Sequence, residues 1–165
     1  MKITSVILLL AVFISFSCGN STSDASAASA KEPIPAVQNK DGLSLVRIES
    51  NDQMRFNLKE IKVKHGNLIE LKLVHTGQLN KKIMGHNFVL LKQGTDINDF
   101  AKKAMKSKAN DYIPSESIDI IAHTKMIGGG EETSISFRAP ERGTYPFVCS
   151  FPGHVALMNG IFVVE

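Results

Sequence analysis

The chain has 165 residues, of which 43% are hydrophobic and 21% are charged, a balance that is typical of an ordinary soluble globular protein. This composition excludes collagen-like, disordered and multispanning membrane proteins. The net charge of +3 is too small to indicate nucleic-acid binding by electrostatics alone, and two cysteines are too few for a disulfide scaffold.

The first 17 residues have the features of a removable export signal. Lys2 supplies a positive charge, and the apolar run that follows it has 14 residues, which is short for a membrane span but normal for a signal. Ser17, immediately before Cys18, resembles a bacterial lipoprotein cleavage site. We therefore expect residues 1–17 to be a lipoprotein signal peptide and Cys18 to be lipidated. The alternative is a plain secretory signal that is cut elsewhere and leaves Cys18 free.

Residues 18–41 are predicted to form a flexible tether behind the lipidated cysteine. This segment is rich in serine and alanine, then contains prolines, and has almost no side chains to bury in a core. The remaining residues 42–165 are long enough for one domain with a sizeable core. We expect this domain to be exported and held on the periplasmic side of a bacterial membrane through its lipid anchor.

Within the predicted domain, apolar residues recur with the period of two that is typical of β-strands. In residues 68–74, for example, Ile69, Leu71 and Leu73 alternate with polar or charged side chains. This pattern predicts an all-β domain, a sandwich or barrel of about 120 residues. About eight strand segments follow from it, at approximately 46–49, 56–63, 68–74, 86–92, 117–123, 133–137, 144–149 and 160–165.

One segment departs from the strand pattern and is predicted to be a short helical insertion. Asp96 is a suitable capping residue, and the helix is expected to cover about 97–108 with Phe100, Ala104 and Met105 facing inward. Its lysines are interpreted as a solvated face, because no aromatic residues lie among them to stack on nucleic-acid bases.

Residues near the C-terminus distinguish this chain from a generic β-sandwich. Cys149 ends a predicted strand, His154 follows after a proline–glycine turn, and Met158 comes four residues later. Upstream, His86 begins another predicted strand. A thiolate, two imidazoles and a weak thioether are the ligand set of a blue-copper electron-transfer site.

The chemistry of copper accounts for these residue types. Soft sulfur ligands stabilise Cu(I), and imidazoles suit both oxidation states. In an exported protein whose other cysteine is lipidated, Cys149 has no disulfide partner, so we expect it to be deeply buried or bound to a metal. The alternative for each residue is ordinary core packing, and the conjunction of all four residues argues against it.

The loop around Cys149 and several upstream motifs resemble the azurins of the cupredoxin family, which are type 1 blue copper proteins. The resemblance covers essentially all of residues 44–165. It implies an eight-stranded Greek-key β-sandwich with a helical flap and one copper ion that cycles between Cu(II) and Cu(I). The segments that match are 51–54, 75–77, 84–87, 121–125 and 149–158.

The resemblance also implies a ligand set. Copper would be held by His86, Cys149 and His154. Met158 would lie on one axial side of the metal, and the backbone carbonyl of Gly85 would lie on the other.

Neighbouring residues receive roles in the same way. The resemblance implies that Asn87 joins the two ligand segments and that amides near Ser150 and Phe151 donate hydrogen bonds to the cysteine sulfur. His75 matches a family position beside the site, where it is either a titrating group or a satisfied structural histidine. The two remaining histidines are expected to be surface or turn residues that do not bind copper.

The chain also departs from the azurin pattern. Azurins usually carry a disulfide, but Ser44 stands at its first position, and the stretch around residues 65–67 has no cysteine for the second. Because losing a disulfide typically removes about 2–5 kcal/mol of stability, we expect bound copper to matter more to this fold. Phe88 replaces a family tryptophan and is expected to fill core space.

The resemblance further implies that electrons pass through the edge of His154, in the middle of an exposed apolar patch suited to brief contact with redox partners. Lys81 and Lys82 lie beside this patch in sequence, so we expect a partner with some acidic groups. The patch residues are Met54, Leu79, Ile83, Met84, Phe151, Pro152 and Ala156.

We therefore expect a monomeric electron carrier that is not an enzyme, with c-type cytochromes or a reductase or oxidase as candidate partners and no nucleic acid.

One alternative is a module that sequesters or delivers copper, but such carriers tend to use exposed methionine-rich or Cys-x-x-Cys sites. A copper oxidase or nitrite reductase domain would need further histidine clusters, and the five histidines include no His-x-His pair. A zinc hydrolase would need a general base, and no carboxylate stands out near the loop.

Overall fold

The computed structural model describes residues 35–165, so the predicted signal peptide, Cys18 and most of the predicted tether lie outside the described residues. In the described part, no helix is both long and apolar enough to cross a membrane. The helices are α1 (Lys81–Met84), α2 (Ile97–Met105) and a 3-10 helix (Lys108–Asn110). The strands are β1 (Val37–Lys40), β2 (Leu43–Asn51), β3 (Arg55–Phe56), β4 (Glu60–Val63), β5 (Leu68–His75), β6 (Val89–Leu91), β7 (Ile120–His123), β8 (Glu132–Arg138), β9 (Gly143–Val148) and β10 (Asn159–Val164).

The strands form two five-stranded sheets. Sheet A has the order β1-β2-β5-β8, and β3 pairs with the end of β2. Sheet B has the order β4-β10-β9-β6-β7. Each sheet contains one parallel pair, β2 with β5 and β4 with β10, while the other pairs are antiparallel. The prediction of an all-β sandwich with a helical insertion is confirmed.

The core forms where the apolar faces of the two sheets meet. In β2, Val46 and Ile48 are at most 2% exposed while their neighbours in sequence are partly or fully exposed, as the period of two predicts. Phe147 of β9 and Phe88 pack into the same cluster, with ring centroids 5.2 Å apart. Phe88 is completely buried, so it fills core space as expected.

The folded domain begins before the predicted boundary at residue 42, so the C-terminal end of the segment assigned to the tether was interpreted wrongly. Val37–Lys40 forms β1 and pairs antiparallel with β2, where Val37 lies opposite Val46. A strand of four residues with a single large apolar side chain has almost no periodic signal. It forms because the edge of β2 offers backbone hydrogen bonds and Val37 packs against the core.

Helix α2 begins where predicted and ends three residues earlier, at Met105. The carboxylate of Asp96 caps it by accepting two backbone N–H bonds, of 2.8 and 3.1 Å. Phe100 and Ala104 are buried as predicted, but Met105 is 50% exposed and the expectation that it faces inward was wrong. Successive residues turn by about 100° around a helix, so Met105 cannot share the face of Phe100, five positions earlier.

Hydrogen bonds occupy the place where the azurin resemblance puts a disulfide. The side-chain amide of Asn67 donates to the hydroxyl of Ser44 at 2.9 Å and to the carbonyl of Lys40 at 3.0 Å. The Ser44 hydroxyl donates to the side chain of Asn39 at 2.6 Å. Each such bond contributes about 0.5–1.5 kcal/mol. These bonds join β1, β2 and the start of β5 without a covalent link.

Candidate metal centre

The candidate metal centre lies at one end of the sandwich, between the start of β6 and the end of β9. Just before β6, the backbone of His86 exchanges two hydrogen bonds of 2.9 Å with Ile127. Directly after β9, the N–H of Cys149 donates to the carbonyl of Met158 at 2.9 Å. Because β6 and β9 are adjacent in sheet B, the imidazole and the thiol are brought together although they are far apart in sequence.

The loop between β9 and β10 folds back on itself and supplies the second imidazole. The N–H of His154 donates to the carbonyl of Phe151 at 3.0 Å, and the N–H of Met158 donates to the carbonyl of His154 at 2.7 Å. Gly153 has a φ of 82°, a left-handed conformation that glycine adopts without steric cost. The residues of this ligand loop, 149–158, therefore converge on one centre.

The side-chain donors have the separations that a metal ion requires. The Sγ atom of Cys149 lies 3.9 Å from Nδ1 of His86 and 3.6 Å from Nδ1 of His154. The ligand atoms of all three residues lie within 4.8 Å of one another. A metal bound at about 2.3 Å to sulfur and about 2.0 Å to nitrogen in a trigonal plane would separate these atoms by about 3.7 Å. The three side chains therefore fit a single metal ion.

Gly85 and Met158 are also close to this cluster in the fold. The carbonyl oxygen of Gly85 lies 3.8 Å from Sγ of Cys149, and Met158 is fully buried in the same core cluster as Cys149. A Cβ atom on Gly85 would come within 2.6 Å of the Lys81 carbonyl, so this close backbone approach requires glycine. The assignment of both residues as axial donors remains a prediction.

A hydrogen bond fixes the ring orientation of His86. Its Nε2–H donates to the carbonyl of Asn51 at 2.9 Å, which leaves Nδ1 unprotonated and directed toward the cysteine sulfur. Histidine ligands commonly donate their second ring nitrogen in this way, and the bond sets both tautomer and orientation. The sequence placed Asn51 in a matching segment but did not assign it this role, because a backbone carbonyl has no side-chain signature.

His75 is a packed structural histidine beside the centre. Its ring stacks on that of His86 with centroids 4.4 Å apart, and the residue is 1% exposed. One ring nitrogen, Nε2, donates to the carbonyl of Met84 at 3.0 Å, while Nδ1 accepts the N–H of Gly77 at 3.0 Å. Both ring nitrogens therefore have hydrogen-bond partners, which supports the interpretation of His75 as a satisfied structural histidine.

Asp52 supports the same side of the site from the surface. Its carboxylate accepts backbone N–H bonds from Gln78 at 2.7 Å and Leu79 at 3.2 Å. The Gln78 bond, followed by the Leu79 bond and the nearby histidines, holds the pKa of Asp52 below its usual value against the opposing effect of desolvation. This contact anchors the segment before α1 and was not assigned from the sequence.

Asn87 joins the two ligand segments. Its side-chain amide donates to the hydroxyl of Ser150 at 2.8 Å, and the N–H of Ser150 donates back to its Oδ1 at 2.9 Å. The backbone N–H groups of Asn87 and Phe151 donate to the sulfur of Cys149. The amide of Ser150, one of the expected sulfur donors, is therefore directed to Asn87 instead.

Burial controls the protonation of the three ligand side chains. Desolvation raises the pKa of the Cys149 thiol to about 12, although the N–H groups of Asn87 and Phe151 partly oppose it. Desolvation also lowers the pKa of His86 and of His154 to about 4. At pH 7 without metal, the imidazoles are neutral and ready to bind, whereas the thiol is protonated. A bound cation stabilises the thiolate and reverses that preference.

Binding of Cu(II) at pH 7 is therefore expected to release about one proton per metal ion, because only Cys149 has to lose one. The release can be measured in weakly buffered solution with a pH indicator. A Cys149→Ala variant is the control and should release none on exposure to the same metal. Release of two or three protons from the unmodified protein would contradict neutral His86 and His154.

His65 and His123 lie outside this cluster, as predicted. Both are exposed; the ring of His65 lies 3.4 Å from the carboxylate of Glu141, and His123 ends β7. Among the described residues, the group with metal-binding geometry consists of His86, Cys149 and His154.

His154 is the most exposed of the four predicted ligand side chains. It is 3% exposed, whereas His86, Cys149 and Met158 are 0% exposed. The ring of Phe151 packs on it with centroids 4.6 Å apart. His154 and the ring of Phe151 are therefore where the candidate centre comes nearest to the solvent.

The residues of the predicted apolar patch differ in exposure. Ile83 is 60% exposed, Leu79 is 40% exposed and Ala156 is also exposed. Leu157, which is not one of the predicted patch residues, is 50% exposed and adjoins Ala156 in the ligand loop. The use of this surface for docking remains a prediction. The half-buried members are Met54, Met84, Phe151 and Pro152.

Comparison with known proteins identifies the class that this fold and site define. The family of copper binding proteins described as the plastocyanin/azurin family matches residues 43–165, and the chain belongs to this family. It is a cupredoxin, and its cofactor is one copper ion.

Individual relatives agree with this assignment. The azurin of Pseudomonas fluorescens biotype A is 40% identical over 125 residues, which cover 73% of this chain and 97% of the azurin. The azurin of Alcaligenes faecalis is 44% identical over 120 residues, or 70% of this chain and 93% of the relative. The outer membrane protein H.8 of Neisseria gonorrhoeae is 43% identical over 116 residues, which cover 68% of this chain and 63% of that protein. The chain thus matches less than two thirds of the length of the H.8 protein.

A solved structure shows the same fold. Auracyanin from the photosynthetic bacterium Roseiflexus castenholzii, crystallised in its dithionite-reduced state, aligns with a TM-score of 0.67 and 32% sequence identity. The alignment covers 73% of this chain and 96% of auracyanin.

Proposed function

We propose that this protein is a one-electron carrier that cycles copper between Cu(II) and Cu(I) and transfers electrons between periplasmic or membrane-bound redox proteins. The observation that carries the proposal is the buried cluster of His86, Cys149 and His154, whose ligand atoms lie within 4.8 Å of one another. Copper, when bound, supplies the one-electron couple.

The chain's own residues keep the site rigid. His86 is fixed by the carbonyl of Asn51, and Cys149 is fixed by backbone hydrogen bonds to its amide and its sulfur. Asn87 holds the two ligand segments together. A site that is fixed before the metal changes oxidation state requires little movement when an electron arrives or leaves. Rigidity of this kind favours electron transfer.

Burial favours a carrier over an enzyme. The ligands are between 0% and 3% exposed, so a substrate molecule has no access to the metal through the described residues. An electron needs no such access, because it can pass through the His154 edge. We therefore propose that the protein transfers electrons without catalysing a reaction of its own.

The test is to titrate the protein with Cu(II) and record optical and paramagnetic-resonance spectra. We expect saturation at one equivalent, an intense blue thiolate-to-copper band and unusually small copper hyperfine splitting. Stoichiometric reduction should bleach the band with one electron, and reoxidation should restore it. A pale, ordinary Cu(II) spectrum would show that the three side chains do not bind copper together.

The alternative function, copper sequestration or delivery, is separated by a second measurement. The Cu(I) protein is passed through repeated redox cycles in the presence of a Cu(I) chelator such as bicinchoninate. An electron carrier should retain its copper, because the ligands are buried and fixed. A delivery protein should lose copper to the chelator within the first cycles.

We also propose that residues 1–17 are removed, that Cys18 is lipidated and that the domain is anchored on the periplasmic side of a bacterial membrane. Ser17 next to Cys18 supports the cleavage, and similarity to a protein named as an outer membrane protein supports the location. Incorporation of labelled palmitate that persists in a Cys18→Ala variant would contradict this attachment.

A further inference from the structure

A pocket of about 360 Å³ lies beside the ligand loop. Phe151 lines it and belongs to that loop, between the metal ligands Cys149 and His154. The pocket therefore shares a residue with the copper site. We call it the lysine pocket, and its walls include Lys81, Lys82, Lys108, Asp111, Tyr112 and Phe151.

Two aromatic rings connect the lysine pocket to the metal ligand at the surface. The ring of Phe151 packs on the imidazole of His154 with centroids 4.6 Å apart. The ring of Tyr112 meets Phe151 edge-on, with centroids 5.4 Å apart and an interplanar angle of 65°. A molecule seated in the pocket thus contacts a ring that itself contacts a copper ligand.

The backbone that forms one wall of the pocket has an unusual conformation. Asp111 and Tyr112 both have positive φ angles, of 49° and 60°, in the left-handed region that residues other than glycine rarely adopt. The N–H of Tyr112 donates to the carbonyl of Ser107 at 3.0 Å and holds the turn closed. Strained backbone of this kind is concentrated at functional sites. Here it directs Tyr112 against Phe151.

The charges around the lysine pocket are unbalanced. Three ammonium groups face one carboxylate, that of Asp111, which lies 3.9 Å from Nζ of Lys81. Within residues 35–165, neither Lys82 nor Lys108 is in an ion pair, whereas Lys102 and Lys103 on α2 pair with nearby aspartates. Ammonium groups without a partner attract an anionic surface and orient it during encounter.

We propose that the lysine pocket seats the acidic face of a redox partner, a protein that presents clustered carboxylates beside its own electron-transfer group. This inference rests on the proposed function as an electron carrier and specifies the partner's chemistry. Carboxylates placed against Lys82 and Lys108 bring the partner onto Phe151 and next to His154. The apolar patch then holds the partner only briefly, and the lysine pocket orients the partner on the surface.

The first test compares two triple variants with the same change in net charge. The pocket variant is Lys81→Gln, Lys82→Gln and Lys108→Gln. The control variant is Lys40→Gln, Lys64→Gln and Lys92→Gln. These lysines are exposed: Lys40 is the last residue of β1, and Lys64 and Lys92 directly follow β4 and β6, at the strand ends that lie away from the metal centre.

Each Cu(I) protein is oxidised at low ionic strength by anionic hexacyanoferrate(III) and, separately, by cationic tris(phenanthroline)cobalt(III). We expect the pocket variant to react about tenfold more slowly with hexacyanoferrate, since focused charge raises association rates by about 10–1,000-fold. The control should slow less than about twofold, and neither variant should react more slowly with the cobalt complex. If both variants were oxidised by hexacyanoferrate(III) at equally reduced rates, the proposal would be overturned.

The second test needs no copper. Hexaglutamate is titrated into the isotope-labelled, metal-free protein, and backbone amide shifts are followed by nuclear magnetic resonance. We expect the shifted amides to cluster around Lys108, Tyr112 and Phe151, to vanish in the pocket variant and to persist in the control. If the amide shifts were absent or lay elsewhere, the proposal that the lysine pocket binds carboxylates would be overturned. Binding there without a blue copper spectrum would overturn the electron-carrier proposal and the redox role of the partner, but not the pocket as a site for carboxylate groups.

Discussion

Replacing Cys149 with serine is expected to abolish the blue copper spectrum and the reversible one-electron couple. The blue band requires charge transfer from a thiolate, and a serine hydroxyl is a hard donor that stays protonated at neutral pH. Removing a ligand should weaken copper binding by more than the roughly 10–100-fold that is typical of residues that only support ligands. Optical titration and voltammetry measure both effects.

A control is needed because serine also changes a buried position. Cys149 is 0% exposed, and a buried hydroxyl without a partner costs about 1–3 kcal/mol of folding free energy. The Val148→Ala variant provides the comparison, since Val148 is equally buried and packs in a different core cluster. It should lose about 2 kcal/mol of stability and keep the blue band. A blue band that survives in Cys149→Ser would contradict the assigned thiolate ligand.

The Asn87→Ala variant is expected to have the second-largest effect, on folding and on copper retention together. Asn87 is 0% exposed, and its loss leaves the buried N–H of Ser150 without an acceptor and creates a small cavity. We expect the free energy of unfolding of the metal-free protein to fall by about 2–4 kcal/mol. Copper affinity should fall about 10–100-fold, because the two ligand segments are no longer tied.

Ser150→Ala is the matched variant for this prediction. It removes the hydroxyl but retains the bond from the Ser150 N–H to Oδ1 of Asn87, so we expect a loss of only about 1–2 kcal/mol. Urea unfolding of the metal-free and copper-loaded forms measures both variants. Equal losses in Asn87→Ala and Ser150→Ala would show that the amide contact does not join the two segments.

The sequence carries most of the fold and of the ligand set because their signals are local. Alternation of apolar and polar residues within single strands indicates the sheets. Three of the four expected donor side chains, those of Cys149, His154 and Met158, belong to the ten residues of the ligand loop. His86 is different, since it lies more than sixty residues before Cys149 in the sequence, and its place at the start of a predicted strand is a weaker signal than the spacing within the ligand loop.

The features that the sequence did not reveal depend on backbone groups or on tertiary contact. The ring of His86 is oriented by a carbonyl, that of Asn51, which any residue type would provide. The edge strand β1 is held by backbone pairing and one valine. The ring of Tyr112 meets Phe151 because Asp111 and Tyr112 both adopt positive φ angles, and no pattern in the sequence predicts this conformation.

The position of β10 determines when the domain can fold. β10 lies between β4 and β9 in sheet B, so β4 has no neighbour in that sheet until residues 159–164 have emerged. A parallel pairing between strands about a hundred residues apart forms slowly, because a long loop has to close first. The same strand positions Met158 and closes the ligand loop. Sheet B is therefore completed only when β10 pairs with both β4 and β9, and the copper centre is completed by the same step.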